Sequence, residues 1–571
     1  MMMKRMGAWM LLALLTLVGE WHGRCYGCLE EERIGLLEIQ SLIVPDGVSW
    51  RDWRLANGNC CEWDGIECDN TTRRVIKLSL LSARDFSLGD WVLNASLFLP
   101  FKELQSLDLG ITTMVGCLEN EGFEVLSSKL RELGLSDNRF NDKSILSCLT
   151  GLSTLKSLDL SYNKLTGSGF KVLSSRLKKL EKLDLSGNQC NDTIFSSLSG
   201  FSSLKSLDLS NNQLTGSINS FQLLPMRLGK LENLGLGGNR LNSSILSILS
   251  GLSSLKSLDL SKNMFTGSGW CELKNLKQLD LSGNNLGGSL PNCLGNLSSL
   301  QLLDVSKNQF TGNIASGPLT NLTSLEFLSL SNNFFEVPIS MKPFMNHSSL
   351  KFFSSENNKL VTESAAFDNL IPKFQLVFFR LSSSPTSEAL NVEIPDFLYY
   401  QYHLRFLNLS HNNITGMFPS WLLKNNTRLE QLDLSENSFV GTLQLQDHPY
   451  PKITELDISN NNMNGQIPKD SCLIFPNLKS LRMAKNGFTG CIPSCLGNIS
   501  SLKILDLSNN HLSTVKLELL TTLQYLKLSN NNLGGQISTL VFNSSTSEYL
   551  YLGGNNFWGK ISDFPLYRRN L

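Results

Sequence analysis

Apolar positions along this chain recur in one short pattern, Leu-x-x-Leu-x-Leu-x-x-Asn. It occurs at Leu130, Leu133, Leu135 and Asn138, and again at Leu155, Leu158, Leu160 and Asn163. It is still running at Leu523, Leu526, Leu528 and Asn531. The period is roughly 24 residues, that of a solenoid built coil upon coil. The second and third leucines alternate along a short strand and point inward, which turns the residues between them outward. Beyond the strand the chain must turn. The Asn side chain there can reach backbone groups that the turn leaves unpaired, and such groups are costly when buried. Each buried leucine contributes roughly 1.5–3 kcal/mol, so a single coil is unstable and the stack is stable.

First positions of the pattern run from Val75 to Ser547, giving about twenty coils, the last incomplete. Many coils continue as Leu-x-Gly-x-Ile-Pro or a close variant, as from Asn284 to Pro291 and from Asn461 to Pro468. Gly permits the turn, and Pro fixes an extended return segment without a donor. The expected architecture is an α/β right-handed horseshoe superhelix over residues 75–571, with a concave parallel sheet from Val75 to about Leu552. A solenoid has no deep central pocket, and it normally works by recognition across its long surface.

Residues 28–74 precede the repeats and read as a cap. Leu29, Leu36, Ile39 and Ile43 share one helical face, and Glu30, Glu31 and Glu32 suit the positive end of the helix dipole. Trp50, Trp53 and Trp63 can cover the open end of the first coil, whose apolar edge has no preceding neighbour. Residues 1–25 read as a secretory signal: Lys4 and Arg5 lead an apolar run from Trp9 to Val18, too short to span a bilayer. Cleavage falls between Arg24 and Cys28. No later stretch is long and apolar enough to span; Leu370 to Leu381 is interrupted by Pro372, Lys373 and Arg380.

Lys plus Arg and Asp plus Glu are equal at 50 each, which argues against a nucleic-acid footprint. Catalysis finds no support. His347, His403, His411, His448 and His511 fall in scattered coils with no metal or triad spacing, and no phosphate loop is present. The expectation is no enzyme activity, no cofactor and no metal. Secretion makes disulfides plausible for the 13 cysteines. Twelve Asn-x-Ser/Thr sequons agree with that route: Asn70, Asn94, Asn191, Asn242, Asn296, Asn321, Asn346, Asn408, Asn413, Asn425, Asn498 and Asn543. An Asn- and Ser-rich repeat also generates sequons by chance, and Asn408 lies within a strand motif, so it is a weak candidate.

The repeat with its Leu-Thr-Gly-x-Ile-Pro element resembles the plant-specific leucine-rich repeat. The segment Cys28 to Arg33, with Asn59-Cys60-Cys61-Glu62-Trp63-Asp64-Gly65-Ile66-Glu67-Cys68, resembles the N-terminal cap of plant receptor-like proteins. That resemblance implies an extracellular recognition domain, one membrane helix, a short tail without a kinase, and signalling through partner kinases. It implies a peptide or protein ligand in immune or developmental perception. It also implies cap disulfides Cys28–Cys60 and Cys61–Cys68. Cys117–Cys148 would join neighbouring coils; Cys271–Cys293 and Cys472–Cys495 hold equivalent places and would each close one coil, leaving Cys190 and Cys491 free. The chain stops at Leu571 with no second cysteine cap, spanning helix or kinase motif, so the expectation is a truncated ectodomain, apoplastic as written. A secreted inhibitor similar to polygalacturonase inhibitors, and a non-functional fragment, are the alternatives.

Outward strand positions carry the candidate site. In early coils an Asp–Ser pair recurs, as in Asp159/Ser161, Asp184/Ser186, Asp208/Ser210, Asp259/Ser261 and Asp280/Ser282. It is either an acidic surface for a basic ligand or a structural ladder. The residue before the second leucine then turns apolar in successive coils, as Leu302, Phe327, Phe352, Phe378 and Phe406, while the Asp position becomes Ser329, Ser354, Arg380 and Asn408. An exposed apolar stripe often marks a binding site. The competing expectation is that the rings pack on each other, or lie beneath an irregular segment from Met341 to His403. Ile504, Tyr525 and Tyr549 with Arg482 and Lys527 form a weaker second candidate.

Overall fold

The computed structural model describes residues 28–43, 58–118, 123–126, 128–149, 151–267, 269–362, 371–384, 392–445, 448–515, 523–536 and 549–559. The signal segment, Trp50, Trp53 and Asn543 lie outside them. The chain forms two compact units, Met1–Phe265 and Thr266–Leu571.

The first unit opens on the cap. Its helix, Glu30–Ile43, buries Leu36, Ile39 and Ile43. A short strand, Ile66–Cys68, runs antiparallel to Val75–Ser79, the first strand of the repeats. Glu32 is fully buried, and its Oε2 accepts from the Val75 amide at 3.2 Å, so the helix is pinned to the first coil. Burial raises its carboxyl pKa against that bond and the nearby Arg74. Trp63 is buried, as expected of a cap residue.

Parallel strands then follow one per coil, from Val75–Ser79 through Ser106–Asp108, Glu132–Gly134 and Ser157–Asp159 to Ser257–Asp259. Registers align residue for residue; Leu133 faces Leu158, and Leu158 faces Leu183. Leu155, Leu158 and Leu160 are at most 1% exposed, whereas Ser157 and Asp159 are half-buried, so inward and outward sides alternate as the pattern requires. Return segments in these coils lack Gly-x-Ile-Pro and form short helices instead, such as Asp142–Cys148 and Phe170–Arg176. The first is started by Asn141, whose side chain accepts from the Lys143 and Ser144 amides while Ser144 bonds back.

The second unit continues the plan from Gln278–Asp280 to Tyr549–Tyr551. Here the glycine-containing return segments add further parallel strands: Gly287–Ser289, Gln309–Asn313 and Phe334–Pro338 join the main sheet through Phe352–Val361, and Thr415–Met417 through Asn556–Trp558 form a separate seven-stranded sheet. The stretch expected to be irregular between Met341 and His403 proves, in its described part, to be repeat coils. Strands Phe352–Val361 and Phe378–Ser383 pair in register with their neighbours. Ser355 stands in place of the third leucine and Ser384 in place of the Asn, which hides the pattern without breaking the stack.

The Asn positions form a ladder within each unit. Asn163 Nδ2 donates to the Leu160 carbonyl at 3.1 Å and, one coil back, to the Leu135 carbonyl at 3.0 Å, and its Oδ1 accepts from the Phe140 amide at 3.0 Å. Asn333 repeats this with Leu330, Val305 and Phe310. The residue before each is left-handed, as at Tyr162 (φ 53°) and Lys307 (φ 54°). At Gly187 (φ 67°) an added Cβ would lie 2.7 Å from the Tyr162 ring, so this turn also needs the missing side chain.

Disulfides join Cys28–Cys60, Cys61–Cys68, Cys117–Cys148, Cys271–Cys293 and Cys472–Cys495. The last two link return segments of successive coils rather than closing a single one: Cys472 lies in Ser471–Ile474 and Cys495 in Ser494–Asn498. Cys190 is buried and free, with its thiol pushed up to about 12 by burial, and Cys491 is exposed and free.

Asn333→Ala should destabilise by roughly 2–4 kcal/mol, because two carbonyls and one amide lose their partner. Leu258→Asp, placing a charge where the side chain is 1% exposed, should cost more. Thermal melting checks both, and an unchanged midpoint in either contradicts the burial described. Of the described cysteines, Cys491 alone should react with a thiol reagent in the native protein, and Cys190 only after unfolding. Fast labelling of Cys190 in the folded chain would refute this.

Candidate recognition face

Strand alternation places Phe353 and Phe379 inside and Phe352 and Phe378 outside. Phe353 and Phe379 are fully buried and stack at 5.6 Å, with Phe344 and Phe397 edge-on beside them. The outward rings stand on this inner cluster. Phe327, Phe352, Phe378 and Phe406 pair in exact strand register. Their ring centroids are 4.0, 4.2 and 4.3 Å apart, and successive planes tilt by 12°, 12° and 4°. Leu302 extends the line by its register with Phe327. All five are half-buried. The structure therefore brings the sequence-predicted stripe together as one continuous stack. The rings do pack on each other, and they still present their edges outward.

Arg380 lies beside them. Its guanidinium sits 5.6 Å from the Phe406 ring centroid and pairs with Glu356 at 3.0 Å. Glu356 was missed by the sequence reading, although the signal was available: it replaces the Ser, Gly or Ala that follows the third apolar position in most coils. Ser329 and Ser354 fill the Asp position in the preceding coils, and the Ser354 hydroxyl is 2.9 Å from that of Ser331. Asn408 is buried and donates to Asp433 at 2.8 Å.

The Asp–Ser pairs prove to be internal fastenings. Asp159, Asp208, Asp259 and Asp280 each accept, through Oδ1, from the backbone amide two residues on, at 2.8–2.9 Å. Asp184 accepts from both the amide and the hydroxyl of Ser186. Desolvation, with Asp208 and Asp159 on either side, holds the Asp184 carboxyl above its usual range against the pull of Ser186.

The second candidate is looser. Ile504, Tyr525 and Tyr549 align in register, but Tyr525 and Tyr549 are 6.0 Å apart and tilted by 48°. Lys527 pairs with Asp506 at 3.6 Å, and Arg482 stands between Asp457 and Asp506. His347 is fully buried with Nε2 3.1 Å from the Leu319 carbonyl, a packing position in which burial lowers its pKa. Among the described residues no cluster of His, Cys, Asp or Glu could hold a metal, and no helix is long and apolar enough to cross a membrane.

A stack of strand–turn coils with an Asn ladder and a disulfide cap defines a leucine-rich-repeat solenoid. Comparison with known proteins agrees. The leucine-rich-repeat profiles match residues 128–190, 153–214 and 476–533, with further repeats at 254–276, 275–297, 403–425 and 452–473. The leucine-rich-repeat N-terminal domain profile matches residues 29–69. Cuscuta receptor 1 of Solanum lycopersicum is 36% identical over 550 residues, covering 76% of this chain and 48% of its own. Receptor-like protein 15 of Arabidopsis thaliana is 37% identical over 451 residues, covering 76% and 41%. The chain thus spans about half the length of the curated relatives it matches. Among solved structures, the Arabidopsis receptor kinase HAESA, in complex with the peptide hormone IDA and the co-receptor SERK1, aligns with a TM-score of 0.55 at 28% identity. That match covers 93% of this chain and 90% of the other. The chain belongs to the leucine-rich-repeat family, and its relatives there are plant receptor-like proteins.

Asp184→Asn keeps the acceptor for Ser186 and removes a carboxylate whose folded-state pKa is raised above 3.8. A raised acid stabilises the fold when protonated, and that contribution is lost as pH rises through the folded pKa. The variant should therefore melt higher than the parent at neutral pH, with the gap closing as pH falls toward 3.8. A gap that widens on acidification, followed by thermal melts across pH, would reverse the assignment.

Proposed function

We propose that the chain is the ligand-recognition region of an extracellular plant receptor-like protein without its own kinase, acting in immune or developmental perception. An extended peptide lies along the strand face over Leu302, Phe327, Phe352, Phe378 and Phe406, beside Arg380. The register-locked stack of four half-exposed rings is the observation that carries this reading. In the earlier coils the same position is polar, as Ser157, Lys182, Ser206, Ser257 and Gln278. Because neighbours occupy the ring faces, the edges meet the ligand. Ring edges are the positive side of the aromatic quadrupole and suit peptide carbonyls and apolar side chains. Arg380 adds a cation for an acidic group. Five disulfides favour an oxidising, secreted setting. The HAESA complex, which holds a peptide hormone and a co-receptor, supports a peptide as ligand and a co-receptor as partner.

The test is the double variant Phe352→Ser with Phe378→Ser, secreted from plant cells and incubated with apoplastic peptides that are then identified by mass spectrometry. Central aromatics typically contribute 2 kcal/mol or more, so capture should fall by about thirty-fold or more. Three stacked contacts are lost, at about 0.5–1.5 kcal/mol each, so the melting midpoint should also drop while secretion persists. Phe378→Leu keeps apolar volume and loses the ring, and it separates the two effects. Capture equal to the parent in both variants makes the stripe structural.

A further inference from the structure

The sequons are not scattered with respect to the repeat. Asn296, Asn321, Asn346, Asn425 and Asn498 each stand four residues before the first leucine of the next coil, at Leu300, Leu325, Leu350, Leu429 and Leu502. Asn543 has the same phase and lies outside the described residues. Asn296, Asn321 and Asn498 are the last residues of short return helices, and Asn346 stands two residues past the end of one, so each sits where the chain is about to enter its strand.

Most other sequons differ from these in what their side chains do; Asn70, in the cap, is exposed in the same way but does not share the phase, standing before Val75 by five residues. Asn94, Asn191 and Asn242 use Oδ1 to accept backbone amides two residues on. Asn413 accepts from the Ser438 hydroxyl, and Asn408 is buried and bonded to Asp433. Asn296, Asn321, Asn346 and Asn498 are exposed and have no side-chain hydrogen bond among the described residues. The fold makes no visible use of their amides. Asn425 shares the phase, but its Nδ2 donates to the Tyr399 carbonyl at 3.1 Å, a bond that modification would break.

We infer that Asn296, Asn321, Asn346 and Asn498 carry N-linked glycans, forming a sugar-coated edge along the strand-entry side of the second unit. This rests on the extracellular reading above. In the transfer, the amide Nδ2 attacks C1 of a lipid-pyrophosphate-linked oligosaccharide. The C1–O bond to pyrophosphate breaks, the C1–Nδ2 bond forms, and the lipid pyrophosphate leaves as the amide proton is lost. Asn321 and Asn346 belong to the coils that lead into Phe327 and Phe352. Their glycans would stand beside the ring stack without replacing any contact within it.

The experiment uses the whole chain secreted from plant cells, with enzymatic deglycosylation in isotopically heavy water and peptide mapping under non-reducing conditions. The expected result is label at Asn296, Asn321, Asn346 and Asn498 and none at Asn408. The fourfold Asn→Gln variant should lose four glycan-sized steps in mobility and keep the cap disulfides and melting midpoint. Unmodified amides at these four sites in a chain whose cap disulfides have formed would overturn the column alone. A chain with no glycan anywhere and free Cys60 and Cys61 would overturn the extracellular reading and the column with it. A glycan on Asn408 in folded protein would overturn the burial criterion on which the selection rests.

Discussion

The turn after each strand is the constraint on which the rest of this structure depends. There the backbone bends through a left-handed residue, and buried carbonyls and amides lose their ladder partners. An unsatisfied buried group costs about 1–3 kcal/mol, and about twenty coils repeat the problem. One Asn in most coils resolves it, because a carboxamide both donates and accepts. Nδ2 bonds the coil's own carbonyl and the preceding coil's carbonyl, and Oδ1 accepts from a backbone amide of the preceding coil. The same side chain therefore closes a turn and ties two coils. That double duty fixes the spacing of the repeat. It also leaves the outward strand residues free of structural obligations except where Asp supports the next turn.

Freedom at those positions is what permits a recognition surface. Neighbouring parallel strands lie about 4.8 Å apart, close to the thickness of stacked rings, so Phe at one position in successive coils must stack. The observed 4.0–4.3 Å separations show the rings leaning into contact. The inner rings of Phe353 and Phe379 repeat the arrangement beneath them. An outer stack resting on an inner one has few ways to move, and a surface that is already ordered loses little entropy on binding.

Much of this was legible in the sequence because it is periodic. Phe352 and Phe378 could be assigned outward, and Leu158 inward, by counting alone. The failures fall where periodicity is locally disguised. Ser355 and Ser384 replace a leucine and an asparagine, so two sound coils looked irregular. Asn412 still makes the ladder bond, reaching back across the longer coil to the Leu381 carbonyl at 2.7 Å. The roles of the Asp residues were left open for a physical reason. Whether a carboxylate faces a ligand or its own backbone is a matter of a single rotamer. The helices in the return segments of the first unit follow from the lack of Gly-x-Ile-Pro, a negative signal that is hard to read in advance.

The return side explains the disulfides that stand outside the cap. On the strand side, coils are joined by the parallel ladder and the Asn side chains. On the return side, short helices and 3-10 turns satisfy much of their hydrogen bonding internally, so fewer bonds cross from one coil to the next. Cys117–Cys148, Cys271–Cys293 and Cys472–Cys495 each have at least one sulfur in such a segment and bridge to a neighbouring return segment. A covalent link closing a loop of 22 to 31 residues removes much of the freedom of the unfolded chain, at about 3 kcal/mol or more each in the chain-entropy account. The links thus sit where the hydrogen-bonded connection is weakest. They hold the back of the stack so that the strand face, where recognition is proposed, keeps its register.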